Sequence, residues 1–163
     1  MPTVPAPDAG RPQILREARP RDLGRLWRLD QRCFEPGIAY SQRELRRFLE
    51  LPRAACVLAE IGPALCGFAL AYPQPPDLAH VVTLDVHPSF RRRGLGRRLI
   101  ESVLDRSAAA GAKRAVLEVD VRNSGAIAFY RVLGFRESGR LPSYYASGLD
   151  AFEMVREPAA GTS

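Results

Sequence analysis

Eight residues constrain this chain most: Arg91-Arg92-Arg93-Gly94-Leu95-Gly96-Arg97-Arg98, five arginines and two glycines in one short run. The residues before them, 80–86, form a β-rich apolar run that reads as a strand. The residues after them place Leu95, Leu99, Ile100, Val103 and Leu104 at helical spacing over 94–110, and Gly111 ends the pattern. A strand that turns through glycines into a helix leaves the first helical N–H groups without internal partners, at the positive end of the helix. An anion is stabilised there. The glycines let a bulky phosphate reach the backbone without Cβ interference, and the arginines add charge-assisted contacts. A pyrophosphate or an adenosine 3′-phosphate suits such a junction.

Other readings of the same string are weaker. A dinucleotide fingerprint needs G-x-G-x-x-G, but Arg97-Arg98-Leu99 follows Gly96 and the third glycine is absent. A P-loop needs Gly-Lys-Ser/Thr, which does not occur. A single-stranded nucleic-acid surface calls for interleaved aromatics, and Phe90 is the sole aromatic neighbour. The bland alternative is a solvated basic turn at a helix start.

The flanking sequence supplies the rest of the fold. Residues 13–16 read as a first strand. Pro20 and Asp22 open a helix with Leu23, Leu26, Trp27 and Cys33 on its apolar side. Ser41 with Glu44 makes a capping box for a second helix reaching about Leu51, where Pro52 stops it. Residues 54–61 and 65–72 are apolar runs separated by Gly62-Pro63, a turn pair, and residues 80–86 follow the link PQPPD. These three runs predict an antiparallel meander. After the helix at 94–110 come a strand at 115–121, a helix at 123–133 stopped by Gly134, and closing strands at 135–138 and 151–155. The order βααβββαβαββ predicts an α/β domain with a mixed sheet of six or seven strands flanked by about four helices.

With 163 residues, 46% hydrophobic and 26% charged, the chain fits one domain with a full core, expected over 12–157. Residues 1–11 and 158–163 read as disordered tails. The formal charge of +6 favours an acidic partner such as a polyphosphate. Cys33, Cys56 and Cys66 lack metal-ligand spacing and sit in apolar contexts, which predicts buried free thiols in a reducing cytoplasm. His80 and His87 do not make a zinc site, so no metal is expected, and their roles stay unassigned. No apolar run approaches the ~18 residues of a membrane span.

Three motifs in order then carry a family resemblance. Val86-x-Pro88 followed by Arg91-x-x-Gly94-x-Gly96 resembles the acetyl-CoA motif of the GNAT acetyltransferase superfamily. Asn123, Ala126, Tyr130, Gly134 and Phe135 resemble the second half of the same core. Tyr144-Tyr145 and the run LDAFEM at 149–154 resemble the last hairpin of RimI-type N-terminal acetyltransferases. The resemblance covers residues 12–157. It implies a GNAT fold in which the strand ending at Val86 splays from the strand at 115–121, with acetyl-CoA in the gap as cosubstrate. Leu84, Asp85 and Val86 would offer backbone groups to its pantetheine arm, and the Val86 N–H would stabilise the thioester oxyanion. Arg91, Arg92, Arg93, Gly94, Leu95, Gly96 and Arg97 would surround the pyrophosphate. Asn123 and Ala126 would contact the cofactor from the next helix, Asn123 also as a cap. Asp85 stands where many relatives carry an apolar residue, and lining the substrate side is its expected role.

The implied reaction is attack of a neutral amine on a thioester. An α-amine, with a pKa near ~8, needs less help than a lysine near ~10.4. Glu118 lies mid-strand in an apolar run and matches the catalytic glutamate of RimI-type enzymes, twelve residues before Tyr130. It is the expected base, and Tyr130 the expected acid toward the CoA sulfur. The structural alternatives are, for Glu118, a carboxylate at a solvated sheet end or paired with an arginine, and, for Tyr130, a half-buried packing tyrosine. Tyr40, Tyr144 and Tyr145 resemble residues that shape the peptide groove. The expected acceptor is a protein N-terminus, including that of a ribosomal protein, in the cytoplasm, with no membrane or nucleic-acid partner. Transfer to a small amine or a lysine side chain remains open, because residues 34–47 and 138–148 that would build the groove are the least diagnostic. A non-catalytic CoA- or RNA-binding module is a third reading.

Overall fold

Local chemistry begins and ends the helices of the computed structural model, which describes residues 14–158. After β1 (Ile14–Glu17), a 3-10 turn at Pro20–Asp22 runs into α1 (Leu23–Cys33). α2 (Gln42–Leu49) starts at the predicted capping box: Ser41 Oγ accepts from the Glu44 N–H at 3.1 Å, and Glu44 Oε2 accepts from the Ser41 N–H at 2.7 Å. Such a cap contributes ~1 kcal/mol. The helix stops two residues short of the predicted Leu51, because the residue before Pro52 is driven from helical angles. β2 (Ala55–Ile61) and β3 (Ala64–Gln74) turn through Gly62 at φ +56°, and β4 (Leu78–Val86) completes the meander. α3 (Leu95–Ala109), β5 (Arg114–Asp120), α4 (Ser124–Val132), β6 (Arg136–Leu141) and β7 (Ala151–Arg156) follow in the predicted order. The expected tail at 1–11, the expected tail at 158–163 apart from Pro158, and Gln13 of the first predicted strand lie outside the described residues.

The seven strands form one sheet in the order β1-β2-β3-β4-β5-β7-β6. All neighbours are antiparallel except β4 and β5. Strand alternation sends side chains to two cores. Ala69, Val81, Leu117 and Met154 pack with Leu99, Ile100 and Val103 of α3 and Ile127 of α4. Leu58, Phe68 and Leu70 pack on the opposite face with Leu26 and Leu29 of α1 and Leu45 of α2. Gly67 has no room for a side chain: a Cβ there would lie 2.7 Å from the Asp85 carbonyl and 2.9 Å from Leu99 Cδ1 of α3.

β4 and β5 pair only over Leu78–Arg114, Ala79–Ala115 and His80–Val116, then part. A register shift in the β3–β4 ladder skips Val82, between the Ala71–Val81 and Leu70–Thr83 pairs. A bulge bends its strand. Here it lies two residues past the last β4–β5 pair, where the two strands separate. No helix among the described residues is long and apolar enough to cross a membrane.

Candidate active site

The parted strands open a cavity of about 970 Å³ walled by residues of β4 and β5, the start of α3, and α4. The His87 N–H donates to the Cys66 carbonyl at 2.8 Å, so by alternation Asp85 also turns its backbone toward β3. Leu84 and Val86 turn theirs into the gap, and both line it. The Val86 carbonyl accepts from Arg91 Nε at 2.9 Å and Cys33 Sγ at 3.5 Å. Asp85 departs from expectation on both counts: its backbone serves the β3 ladder, and its fully buried side chain faces α1 rather than the cleft. One residue of strand phase separates it from Leu84 and Val86.

At the mouth, Gly94 takes φ +79° and leads into α3 with no side-chain cap. The first helical bond is Arg98 N–H to the Gly94 carbonyl at 3.1 Å, which leaves the N–H groups of Leu95, Gly96 and Arg97 outside the helical ladder. A Cβ on Gly96 would make ordinary contacts at 3.5–3.7 Å with Phe129, Val86 and Leu84 on the cavity wall. Arg91, Arg92, Gly94, Gly96 and Arg97 line the cavity. Arg93 is exposed outside its lining, and the Leu95 side chain is core, so Leu95 offers only its N–H. The uncapped helix start, the positive-φ glycine and the arginines fit a diphosphate, and the Leu84 backbone and Val86 N–H, which β5 does not pair, fit an extended amide chain.

Asn123 caps α4, its Oδ1 accepting from the Ala126 N–H at 3.1 Å, and both residues line the cavity. Tyr130 lines it from α4, with its ring edge-on to Phe129 and Phe135. Burial, and then the nearby Asp85, push its phenol well above the ordinary range, so it keeps its proton. Glu118 lines the cavity from β5. Its Oε2 lies 2.7 Å from His80 Nε2. His80 Nδ1 lies 3.0 Å from the Tyr72 hydroxyl, which accepts from Gln74 Nε2 at 3.1 Å. The roles close consistently when Nε2 carries the ring proton: Gln74 donates to Tyr72, Tyr72 to Nδ1, and Nε2–H to Glu118. The parallel register produces this pair, because it sets His80 beside Val116, two residues from Glu118.

Tyr40, Tyr144 and Tyr145 all line the same cavity. Burial raises each phenol, Tyr144 to about 12, and Glu118 adds to each shift. His87 is buried instead: its Nδ1 accepts from the Ser89 N–H at 3.1 Å, and its ring packs on Phe90. Sequence reasoning left His80 without a role. The signal that points to it is a second polar residue in an apolar strand, readable only once β4 and β5 are known to be neighbours. No group of three His, Cys, Asp or Glu among the described residues is placed to hold a metal ion. The three cysteines are free thiols.

Comparison with known proteins agrees with this geometry. The chain is 35% identical to the N-alpha-acetyltransferase RimI of Mycobacterium tuberculosis, over 86% of this chain and 95% of that protein. It is 32% identical to the ribosomal protein bS18 alanine N-acetyltransferase of Salmonella typhimurium, over 76% and 81%. A Mycobacterium leprae protein is 36% identical over 90% of this chain, which spans 41% of that protein. Among solved structures, the ribosomal-protein-S18-alanine N-acetyltransferase of Escherichia coli superposes with a TM-score of 0.79 at 26% identity, covering 93% and 97% of the two chains. Residues 23–135 match the family model described as the acetyltransferase (GNAT) family, and the chain belongs to that family.

Proposed function

We propose that this acetyltransferase moves an acetyl group from acetyl-CoA to the α-amine of a protein N-terminus, with a ribosomal protein among its acceptors. The observation that carries the reading is a cleft with a phosphate cradle at one end and, at the other, Glu118 gripped by His80 and ringed by tyrosines. The relatives named for N-terminal acetylation support the choice of acceptor. Acetyl-CoA supplies the activated acyl group as a thioester.

The residues divide the work by position. The start of α3 with Arg91, Arg92 and Arg97 holds the diphosphate. Leu84 offers its backbone groups to the pantetheine amides, and the Val86 N–H donates to the thioester carbonyl oxygen. Asn123 and Ala126 close the opposite side. His80 occupies one oxygen of Glu118 and leaves the other for the amine. Glu118 accepts the proton, directly or through one water, and Tyr130 supplies one to the departing sulfur. The tyrosines give the acceptor an amphipathic wall: apolar rings against the first side chains, hydroxyls toward the peptide backbone.

A thiol-release assay tests the proposal. The protein is given acetyl-CoA with short peptides of varied free N-termini, beside spermidine and free amino acids. Release with peptides, abolished when the N-terminus is blocked, is the expected result. Release only with small amines would overturn the acceptor, and no release with acetyl-CoA bound would overturn the transfer.

A further inference from the structure

We propose that Asp30 and Asp85 share a single proton, and that this carboxyl pair positions the acceptor wall of the cleft by tying α1 and the segment before α2 to β4. Both residues are completely buried, Asp30 on α1 and Asp85 on β4, and each carboxyl bears directly on the other. Each has one oxygen satisfied. Asp30 Oδ2 accepts from the Tyr40 N–H at 2.7 Å, and Asp85 Oδ1 accepts from the Thr83 hydroxyl at 2.5 Å. The remaining oxygens, Asp30 Oδ1 and Asp85 Oδ2, are the two buried side-chain polar atoms without a partner among the described residues.

Two ionised carboxylates are acceptors only and cannot satisfy each other. One proton between them converts the contact to O–H···O⁻ and accounts for both orphan oxygens at once. Among the described residues, no salt bridge reaches either carboxyl. The Tyr40 N–H on Asp30, and the Thr83 hydroxyl and Arg91 on Asp85, favour the ionised forms, against the effect of burial. Cys33 of α1, Tyr40, Glu44 of α2, Cys56 of β2 and Tyr130 of α4 are the titratable groups that bear electrostatically on the pair, and none supplies a positive charge. Arg91 is the cation that bears on Asp85, and its Nε is committed to the Val86 carbonyl. Burial raises both carboxyls, and their mutual repulsion raises Asp85 further.

The position gives the pair its consequence. Asp30 holds the Tyr40 backbone, and the Tyr40 hydroxyl reaches the Val82 carbonyl of β4 at 3.3 Å. Tyr40 lines the cleft beside Glu118. The pair therefore clamps one side of the acceptor entrance to the strand that carries Leu84 and Val86.

The experiment uses D85N, D30N and the double variant D30N/D85N. In each single variant the new amide donates to the remaining carboxylate, while its oxygen keeps the Thr83 or Tyr40 bond. Each single variant is expected to fold, with a KM for acceptor within about twofold of the parent. In the double variant two amide donors face each other. The KM for acceptor peptide should rise at least tenfold, with the acetyl-CoA dissociation constant changed less than threefold. Proton sharing is read separately, by unfolding against pH. Above about pH 5 both unfolded carboxyls are ionised while the native pair still holds one proton, so the parent loses stability relative to D85N as the pH rises, the ratio of unfolding constants growing up to tenfold per pH unit until the native pair itself ionises. D30N provides the same comparison should D85N misfold. A flat ratio overturns the shared proton, and an unchanged peptide KM in the double variant overturns the positioning role. The KM readout rests on the acceptor proposed above, whereas the unfolding readout does not, so failure of one is distinguishable from failure of the other.

Discussion

Replacing Glu118 with glutamine tests the proposed chemistry at the atom where it happens. The amide keeps the shape of the side chain, and its oxygen still accepts from His80 Nε2, now 2.7 Å from the carboxylate. What it loses is the capacity to take a proton. General-base removal costs roughly 10²- to 10⁴-fold. An α-amine with a pKa near ~8 is about one-tenth neutral at pH 7, so the loss should fall at the lower end, about 100-fold in kcat/KM. At pH 9 about nine-tenths of the amine is already neutral, and the variant should recover close to tenfold relative to the parent. The assay is CoA release from a free-N-terminus peptide at pH 7, 8 and 9, with acetyl-CoA affinity measured alongside. A parent-to-variant ratio that stays constant over this range would refute the reasoning, because the carboxylate would then not be the group that relieves the amine of its proton.

Two further outcomes follow from the same geometry. Tyr130→Phe should lower turnover at least tenfold while CoA still binds, and undiminished turnover in a stopped assay with peptide acceptor would remove the acid role. Asp22, buried and gripped by Arg16 through two bonds of 2.9 Å, is held at about pKa 2, chiefly by that hydrogen-bonded guanidinium. A depressed carboxyl contributes stability above its unfolded value of about 3.9 and loses it as the pH falls toward 2, an effect of about 2 to 3 kcal/mol. Urea unfolding of the parent and Asp22→Asn should therefore converge between pH 4.5 and 2, and parallel curves would contradict this.

Where the sequence misjudged an element, the sheet explains why. Residues 73 and 74 read as part of a proline-rich link, yet β3 continues through them, pairing Pro73 with Ala79. β2 stops at the Ala55–Ala71 pair, so beyond it one side of β3 is an edge where a missing N–H costs nothing. β6 was expected to end at Ser138 but runs to Leu141, through exposed residues with no apolar alternation. It lies at the outer edge of the sheet, where neither face must be apolar and charge keeps other strands away. By contrast, the capping box at Ser41 and Glu44 and the glycine turn at Gly62 are local, and local signals are what a sequence carries directly.

The site divides along the same line. The phosphate cradle is legible because the strand, the glycines and the helix start are contiguous from Val86 to Arg98. Glu118 is legible as a charge in an apolar strand. His80 and Asp85 present the same anomaly, but their meaning depends on partners that only tertiary pairing supplies: Glu118 across a parallel register for one, Asp30 on a helix for the other. The placement of the site follows from that register. β4 and β5 are the one parallel pair among the described strands, so a crossover through α3 must join them. The crossover puts a helix N-terminus at the end of β4, and the skipped residue at Val82 opens β4 from β5 beside it. Free strand backbone, a positive helix end and the polar residues of both strands thus meet at one point, and a thioester with a phosphate tail is a ligand that can use all three.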